Sequence, residues 1–239
     1  MYYFISDTHL GQGEDTLSRE KKLVKWLHEI APSAKAIFFV GDVFDFWYEY
    51  KRVVPRGFTR FLGALSELSD RGVDLHFFVG NHDQWMRDYL AKECGVKLHF
   101  RGEIKELYGK KVYIAHGDNE PTKKPCLVKF MNSCFRSRVI KWIFSTFFHP
   151  NSALAFGKRW SSGSRKNKGI AHVFRGEDEP LVAYARDMKD ADYAVFGHIH
   201  CAEDYPLGEN RKVVFLGEWF EQYTFASLDS EGNLELEKL

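Results

Sequence analysis

The sequence predicts one α/β domain, and three observations carry that prediction. Short apolar runs rich in aromatic and β-branched residues alternate with segments of helical spacing from Tyr2 to Gly95. The first three runs are apolar nearly throughout, the pattern of strands buried on both faces of a parallel sheet. No repeat, low-complexity tract or Pro/Gly/Ser linker divides the 239 residues, a length that supports a full hydrophobic core.

Taken in order, Tyr2–Ser6 reads as a buried strand. Thr16–Ile30 reads as a helix, with Leu17, Leu23, Trp26, Leu27 and Ile30 at helical spacing. Lys35–Val40 is a second buried strand, and Phe58–Leu68 a helix ended by Arg71-Gly72. Asp74–Val79 is a third strand, and Met86–Glu93 a helix stopped by Gly95. This βαβαβ opening implies parallel strands with helices on the sheet faces. The pattern then changes. Ile104–Tyr108 and Lys111–Ala115 predict a hairpin whose two central residues are Gly109-Lys110. A helical insertion follows at about 121–176. Pro180–Met188 is a further helix. Tyr193–Phe196, Lys212–Leu216, Tyr223–Leu228 and Leu234–Glu237 are late strands, the last two joined by a turn at Ser230-Glu231-Gly232-Asn233.

Charge singles out the insertion. From Pro121 to Gly176 there are 12 Lys and Arg and no Asp or Glu, while the remainder of the chain holds 22 basic and 33 acidic residues. A basic block in an acidic body predicts an anionic partner. From Leu127 to Phe148 apolar residues recur at broadly helical spacing, with Arg136, Arg138 and Lys141 between them. Such a helix can lie on an anionic membrane surface or wall an acyl pocket. Its apolar faces argue against a nucleic-acid groove, so no nucleic-acid partner is expected. Arg159 to Lys168 then concentrates cations and hydroxyls suited to a diphosphate. No apolar run approaches the ~20 residues that span a bilayer. The opening MYYFISDTHL reads as a strand running into a site rather than a secretory leader. Cys94, Cys126, Cys134 and Cys201 lack C-x-x-C spacing and read as reduced thiols of a cytoplasmic protein.

Five predicted strands end in short polar motifs. These are Asp7-Thr8-His9, Gly41-Asp42, Gly80-Asn81-His82-Asp83, His116-Gly117-Asp118 and Gly197-His198-Ile199-His200. Each alone is unremarkable: a Gly-Asp is usually a turn, and a His-x-His is usually two surface histidines. Five in succession, each beyond the carboxyl end of a strand, predict one shared crevice. Carboxylates, imidazoles and one amide oxygen suit Mn²⁺, Fe²⁺ or Zn²⁺, with no thiolate to favour structural zinc. Asp7, His9, Asp42, Asn81, His116, His198 and His200 are seven donors, too many for one ion but suited to two that share a carboxylate. Glycines 41, 80, 117 and 197 are expected to let the backbone approach the ions.

The ordered set D-x-H, G-D, G-N-H-D, H-G-D and G-H-x-H resembles the calcineurin-like metallophosphoesterase superfamily. The resemblance implies a sandwich of two mixed β-sheets flanked by helices. It implies that Asp7, His9 and His200 hold one ion, that Asn81, His116 and His198 hold the other, and that Asp42 bridges them. Two such ions activate a water for in-line attack on phosphorus. His82, outside that set, is the candidate to stabilise the transition state or protonate the leaving oxygen, with Asp83 orienting it.

The stretch from Gly41 to Trp47, GDVFDFW, resembles the G-D-L-F-E-x-W of bacterial UDP-2,3-diacylglucosamine pyrophosphohydrolases of lipid A synthesis. The run from Leu107 to Asp118 does so too, and both families of motif precede a basic, apolar insertion. The resemblance implies a cap that holds the acyl chains, two Mn²⁺ ions, and a lipid-linked sugar nucleotide as substrate. It implies substrate contacts from Asn81, His198, Ser161, Ser164, Arg165, Lys166 and Lys168. It places the protein in the cytoplasm, peripheral on the inner membrane. Three positions depart: His82 stands where the best-known members have Arg, Asp-Thr-His replaces Asp-Leu-His, and Gly217-Glu218-Trp219 replaces a Gly-Ala-Trp-like stretch. The alternative expectation is another phosphodiesterase or nucleotide pyrophosphatase of the superfamily; a non-catalytic scaffold ranks last, since no ligand is missing.

Overall fold

The computed structural model describes residues 1–122, 133–155, 157 and 173–239. Its first sheet contains β1 (Tyr2–Ile5), β2 (Ala36–Val40), β3 (Asp74–Phe78) and β4 (Lys97–His99), all parallel. Helices α1 (Thr16–Ile30), α2 (Thr59–Asp70) and α3 (Tyr89–Cys94) connect them. The second sheet is built on β5 (Glu103–Leu107) and β6 (Lys110–Ala115). After α4 (Arg138–Phe147) and α5 (Pro180–Asp187) the chain adds β7 (Tyr193–Phe196), β8 (Ala202–Gly208) and β9 (Arg211–Leu216) to that sheet. It then returns to the first sheet with β10 (Thr224–Leu228) and β11 (Leu234–Lys238). The strand orders are β11-β10-β1-β2-β3-β4 and β5-β6-β7-β9-β8. Antiparallel pairs at β1/β10, β10/β11, β5/β6 and β8/β9 make both sheets mixed. Two mixed sheets with flanking helices are thus the observed architecture.

The apolar runs have a direct explanation. Side chains alternate faces along a strand. In β2, Ala36, Phe38 and Val40 meet Phe4, Phe78, Ile114, Val195 and Val214 between the sheets. Ile37 and Phe39 face the other way, onto Leu23, Trp26 and Leu27 of α1 and Phe61 and Leu65 of α2. On the outer face of the second sheet, Leu181, Val182 and Ala185 of α5 cover Ala194, Phe196, Val213 and Phe215. Both faces of the central strands are dry, so they read as unbroken apolar runs.

Several sequence expectations shift. The hairpin turn is Tyr108-Gly109, not Gly109-Lys110, because Leu107 pairs with Lys110. Tyr108 and Gly109 both take positive φ, 49° and 76°, as a two-residue turn between right-twisted strands requires. Helix α2 runs from Thr59 to Asp70 rather than from Phe58 to Leu68, Phe58 sitting at φ 59°. Helix α3 begins at Tyr89 instead of Met86. The buried Glu49 carboxylate accepts the backbone N–H groups of Arg87, Asp88 and Tyr89, which holds those residues to the helix entrance. Strands β4 and β8 escape the pattern altogether. Both are sheet edges, and β8 is polar and contains Pro206, which an edge tolerates.

Candidate metal centre

The carboxyl ends of β1, β2, β3, β6 and β7 carry the five motifs to one place. The first loop is laid along the second: Asp7 N donates to the Gly41 carbonyl at 3.1 Å, and His9 N to the Asp42 carbonyl at 3.0 Å. Arg19 of α1 reaches under this loop and donates to the carbonyls of Thr8, His9 and Gln12. Its guanidinium lies 4.4 Å from the Phe220 ring, which in turn stacks on His9. Five of the seven proposed donors sit at positive φ: Asp7 (52°), His9 (39°), Asp42 (51°), His198 (70°) and His200 (55°). Non-glycine residues rarely adopt that region, and such strain clusters where side chains must converge. Gly41 is obligatory for the same reason, with φ 83° and a virtual Cβ 2.5 Å from His116 Nδ1. At Gly80 a Cβ would lie 2.2 Å from Asp42 Oδ1. At these two glycines the close approach is made to side chains of the candidate ligand set.

Two clusters meet at the Asp42 carboxylate. Asp7, His9 and His200 place ligand atoms within 4.8 Å of one another, and so do Asp42, His116 and His198. His200 Nε2 is 3.1 Å from Asp7 Oδ1, and His116 Nε2 is 3.3 Å from Asp42 Oδ2. His9 Nε2 lies between the two carboxylates, 3.6 Å from Asp7 and 3.9 Å from Asp42. Among the described residues Asp7 Oδ1, Asn81 Oδ1 and His116 Nε2 are buried without a hydrogen-bond partner. Buried polar atoms are normally satisfied, so unsatisfied atoms of metal-ligating types within these side chains fit a cation. The remaining polar atoms of these side chains are held. Asp7 Oδ2 accepts from His198 N at 2.9 Å and Asp42 Oδ1 from His82 N at 2.8 Å. His116 Nδ1 is fixed by the Val40 carbonyl at 2.9 Å, leaving Nε2 for the centre.

The electrostatics agree with a site built for positive charge. Burial alone would raise the Asp42 carboxyl, but the His116 and His82 imidazoles overcome it and hold it far below the usual range. Burial opposes the charge on His9, yet Asp45, Asp7 and Asp42 raise it to about 9. Dications bound there would compete with protons for the imidazoles.

His82 stands beside the two clusters. His9, Asp42 and His82 form a third group with ligand atoms within 4.8 Å. The His82 Nδ1–H is fixed by the Asp45 carbonyl at 2.8 Å, and Nε2 lies 3.9 Å from Asp42 Oδ2. The expectation that Asp83 orients His82 fails. Asp83 is fully buried and turns away, accepting from Gly80 N at 2.7 Å and Val43 N at 3.0 Å. Burial, then Asp42, pushes its carboxyl up to about 7. It clamps two loops, while Asp45 supports His82. Asp45, Arg19, Glu49 and Phe220 are supporting residues that sequence reasoning missed. Asp45 falls inside the GDVFDFW stretch, which was the available signal; the others carry none. Ser161, Ser164, Arg165, Lys166 and Lys168, and the apolar residues from Leu127 to Met131, lie outside the described residues.

The chain matches the calcineurin-like phosphoesterase family over residues 2–202. It is 40% identical to the UDP-2,3-diacylglucosamine hydrolase of Porphyromonas gingivalis, over 95% of this chain and 93% of that one. It is 28% identical to the UDP-2,3-diacylglucosamine hydrolase of Neisseria meningitidis, over 96% and 95% of the two chains. With that of Edwardsiella ictaluri the identity is 27%, over 96% and 88%. The motifs, their convergence on Asp42 and these similarities have one reading: the chain belongs to the calcineurin-like phosphoesterase family and is a metal-dependent hydrolase.

Proposed function

We propose that the protein hydrolyses the diphosphate of UDP-2,3-diacylglucosamine to UMP and 2,3-diacylglucosamine 1-phosphate, using two divalent ions, Mn²⁺ foremost. The observation that supports it most is the 40% identity to the Porphyromonas gingivalis relative across 95% of the chain, which takes in the region of the cap as well as the metal loops. Asp7, His9 and His200 would hold one ion, Asn81, His116 and His198 the other, and Asp42 both. Such ions, when bound, polarise phosphoryl oxygens and lower the pKa of water towards ~7.

The chain's own residues supply orientation and a proton. Val40 and the backbone of His82 and His198 lock the ligand side chains, so little reorganisation accompanies binding. His82, fixed through Nδ1, directs Nε2 to the side of Asp42. Protonated there, it would donate to the oxygen on which charge develops as the P–O bond breaks. Asn81 and His198 would share substrate contact with the five residues of the 161–168 cluster. Helix α4 gives the cap its apolar surface: Val139, Trp142, Ile143 and Phe147 are exposed along one side, while Phe144 packs on Tyr48 and Trp85. That exposed apolar side suits peripheral docking on the anionic cytoplasmic face of a membrane. Among the described residues no helix is long and apolar enough to cross one.

The test compares the diacylated substrate with the same UDP-sugar lacking acyl chains and with a small phosphodiester. An acyl pocket loses about 0.8 kcal/mol per methylene, so two fewer buried methylenes should lower kcat/KM roughly tenfold. Equal turnover with and without acyl chains, or faster turnover of the small diester, would reject the lipid substrate.

A further inference from the structure

A cavity of about 1240 Å³ opens beside the centre, between the loops that carry Asn81 and His116 and the first turn of α4. Val79 and Gln84 bracket the first loop and Asp118 continues the second, so the cavity adjoins the two loops that carry Asn81 and His116. Among the described residues four cations line it, Arg87, Arg101, Arg136 and Lys141, against two carboxylates, Asp118 and Glu120. Asp118 is engaged by Arg136 at 2.6 Å, and Glu120 accepts from the Tyr113 hydroxyl at 2.8 Å. Two further cations, the half-buried Lys141 and the exposed Arg87, rest on neutral oxygens. Lys141 Nζ donates to the Gln84 carbonyl at 2.6 Å and Arg87 to the Ser145 hydroxyl at 3.3 Å, and neither has a carboxylate partner among the described residues.

This arrangement carries an electrostatic cost. Burial, with Arg136 and Arg87 nearby, pushes the Lys141 ammonium down to about 8. The N-terminal turn of α4 opens on the same space through Ser137, adding its partial positive charge. Like charges gathered on a cavity wall, with more cations than carboxylates, are relieved by an anion placed among them.

We propose that this cavity is a second phosphoryl site: it receives the phosphoryl group of a diphosphate substrate that is not attacked, with Arg87 and Lys141 as its main contacts. The inference rests on the diphosphate reading given above. One phosphorus must sit at the Asp42 centre, and the cavity beside the loops of that centre would receive its neighbour in a diphosphate. A simple phosphodiester has no group to place there, so the cavity would select diphosphates from other phosphoesters.

The experiment uses Mn²⁺-loaded wild type, Lys141→Met and Arg87→Gln. Charge-assisted hydrogen bonds are strong enough that each variant should lose roughly tenfold or more in kcat/KM on UDP-2,3-diacylglucosamine. That loss should exceed the loss on bis(4-nitrophenyl) phosphate by about tenfold. Product inhibition tells which half of the substrate occupies the cavity: weakening for UMP or for 2,3-diacylglucosamine 1-phosphate supports the site, and weakening for neither overturns it. Equal losses on both substrates, or none, would also overturn it. If the wild type does not cleave the lipid substrate, that reading fails by itself. Calorimetric binding of inorganic pyrophosphate then judges the cavity, with roughly tenfold weaker binding in both variants supporting it and unchanged binding rejecting it.

Discussion

Asp42 shows how a single residue organises the centre. Its carboxylate faces His9, His82 and His116, and its other oxygen is tied to the His82 backbone. Asp42→Ala should therefore remove both ions together, whereas Asn81→Ala should weaken mainly one; elemental analysis of dialysed protein distinguishes the two. His82 occupies a different position, fixed by a carbonyl and edge-on to His9 at 4.7 Å between ring centres. His82→Ala should keep two ions per chain and lose ~10²–10⁴-fold in kcat, the range of a general acid. A fall in metal content parallel to activity would make His82 a ligand. These residues were legible because their motifs recur after strands. Asp83 was misread because neighbours in a tight loop point to opposite sides. Adjacency to His82 in sequence brought its carboxylate to Gly80 and Val43 instead. Arg19 and Phe220 were invisible, since a single buried arginine in an amphipathic helix looks like part of its solvated face.

The elements that read cleanly are those whose packing is uniform. Strands β1, β2, β3 and β7 are dry on both faces, and Thr16–Ile30 is bounded as its spacing indicates. Where an element depends on a distant partner, sequence spacing fails: α3 waits for Glu49, and β8 exists only because β9 offers it an edge. Helix α4 joins two roles, and its charge makes a prediction. Unfolded, Lys141 keeps its proton up to about 10.5; folded, it releases it near 8. Between those values the unfolded chain binds more protons, so the destabilisation from Lys141 is full below pH 8 and fades as pH rises towards 10.5. In phosphate-free buffer, Lys141→Met should raise Tm at pH 7, and the gain should shrink by pH 10. A constant or growing gain across that range would show that the cationic cluster is not strained.

At the scale of the whole molecule, function follows from topology. Three parallel strands of one sheet and two of the other end at the same edge of the sandwich, and their loops meet across the seam. The apolar layer between the sheets, from Phe4 to Leu234, holds those edges in register, so candidate ligands drawn from Asp7 to His200 converge without a dedicated metal-binding segment. That convergence was readable from strand ends alone. The pairing of the sheets and the cationic cavity were not, because both depend on contacts between segments far apart in the chain. The most direct test of the account is hydrolysis of UDP-2,3-diacylglucosamine by the Mn²⁺-loaded protein in ¹⁸O-labelled water, with both products read by mass spectrometry. Attack at the phosphorus that bears uridine predicts one ¹⁸O in UMP and none in 2,3-diacylglucosamine 1-phosphate. Label in the lipid phosphate, or no cleavage of this substrate under conditions where a small phosphodiester is turned over, would contradict it.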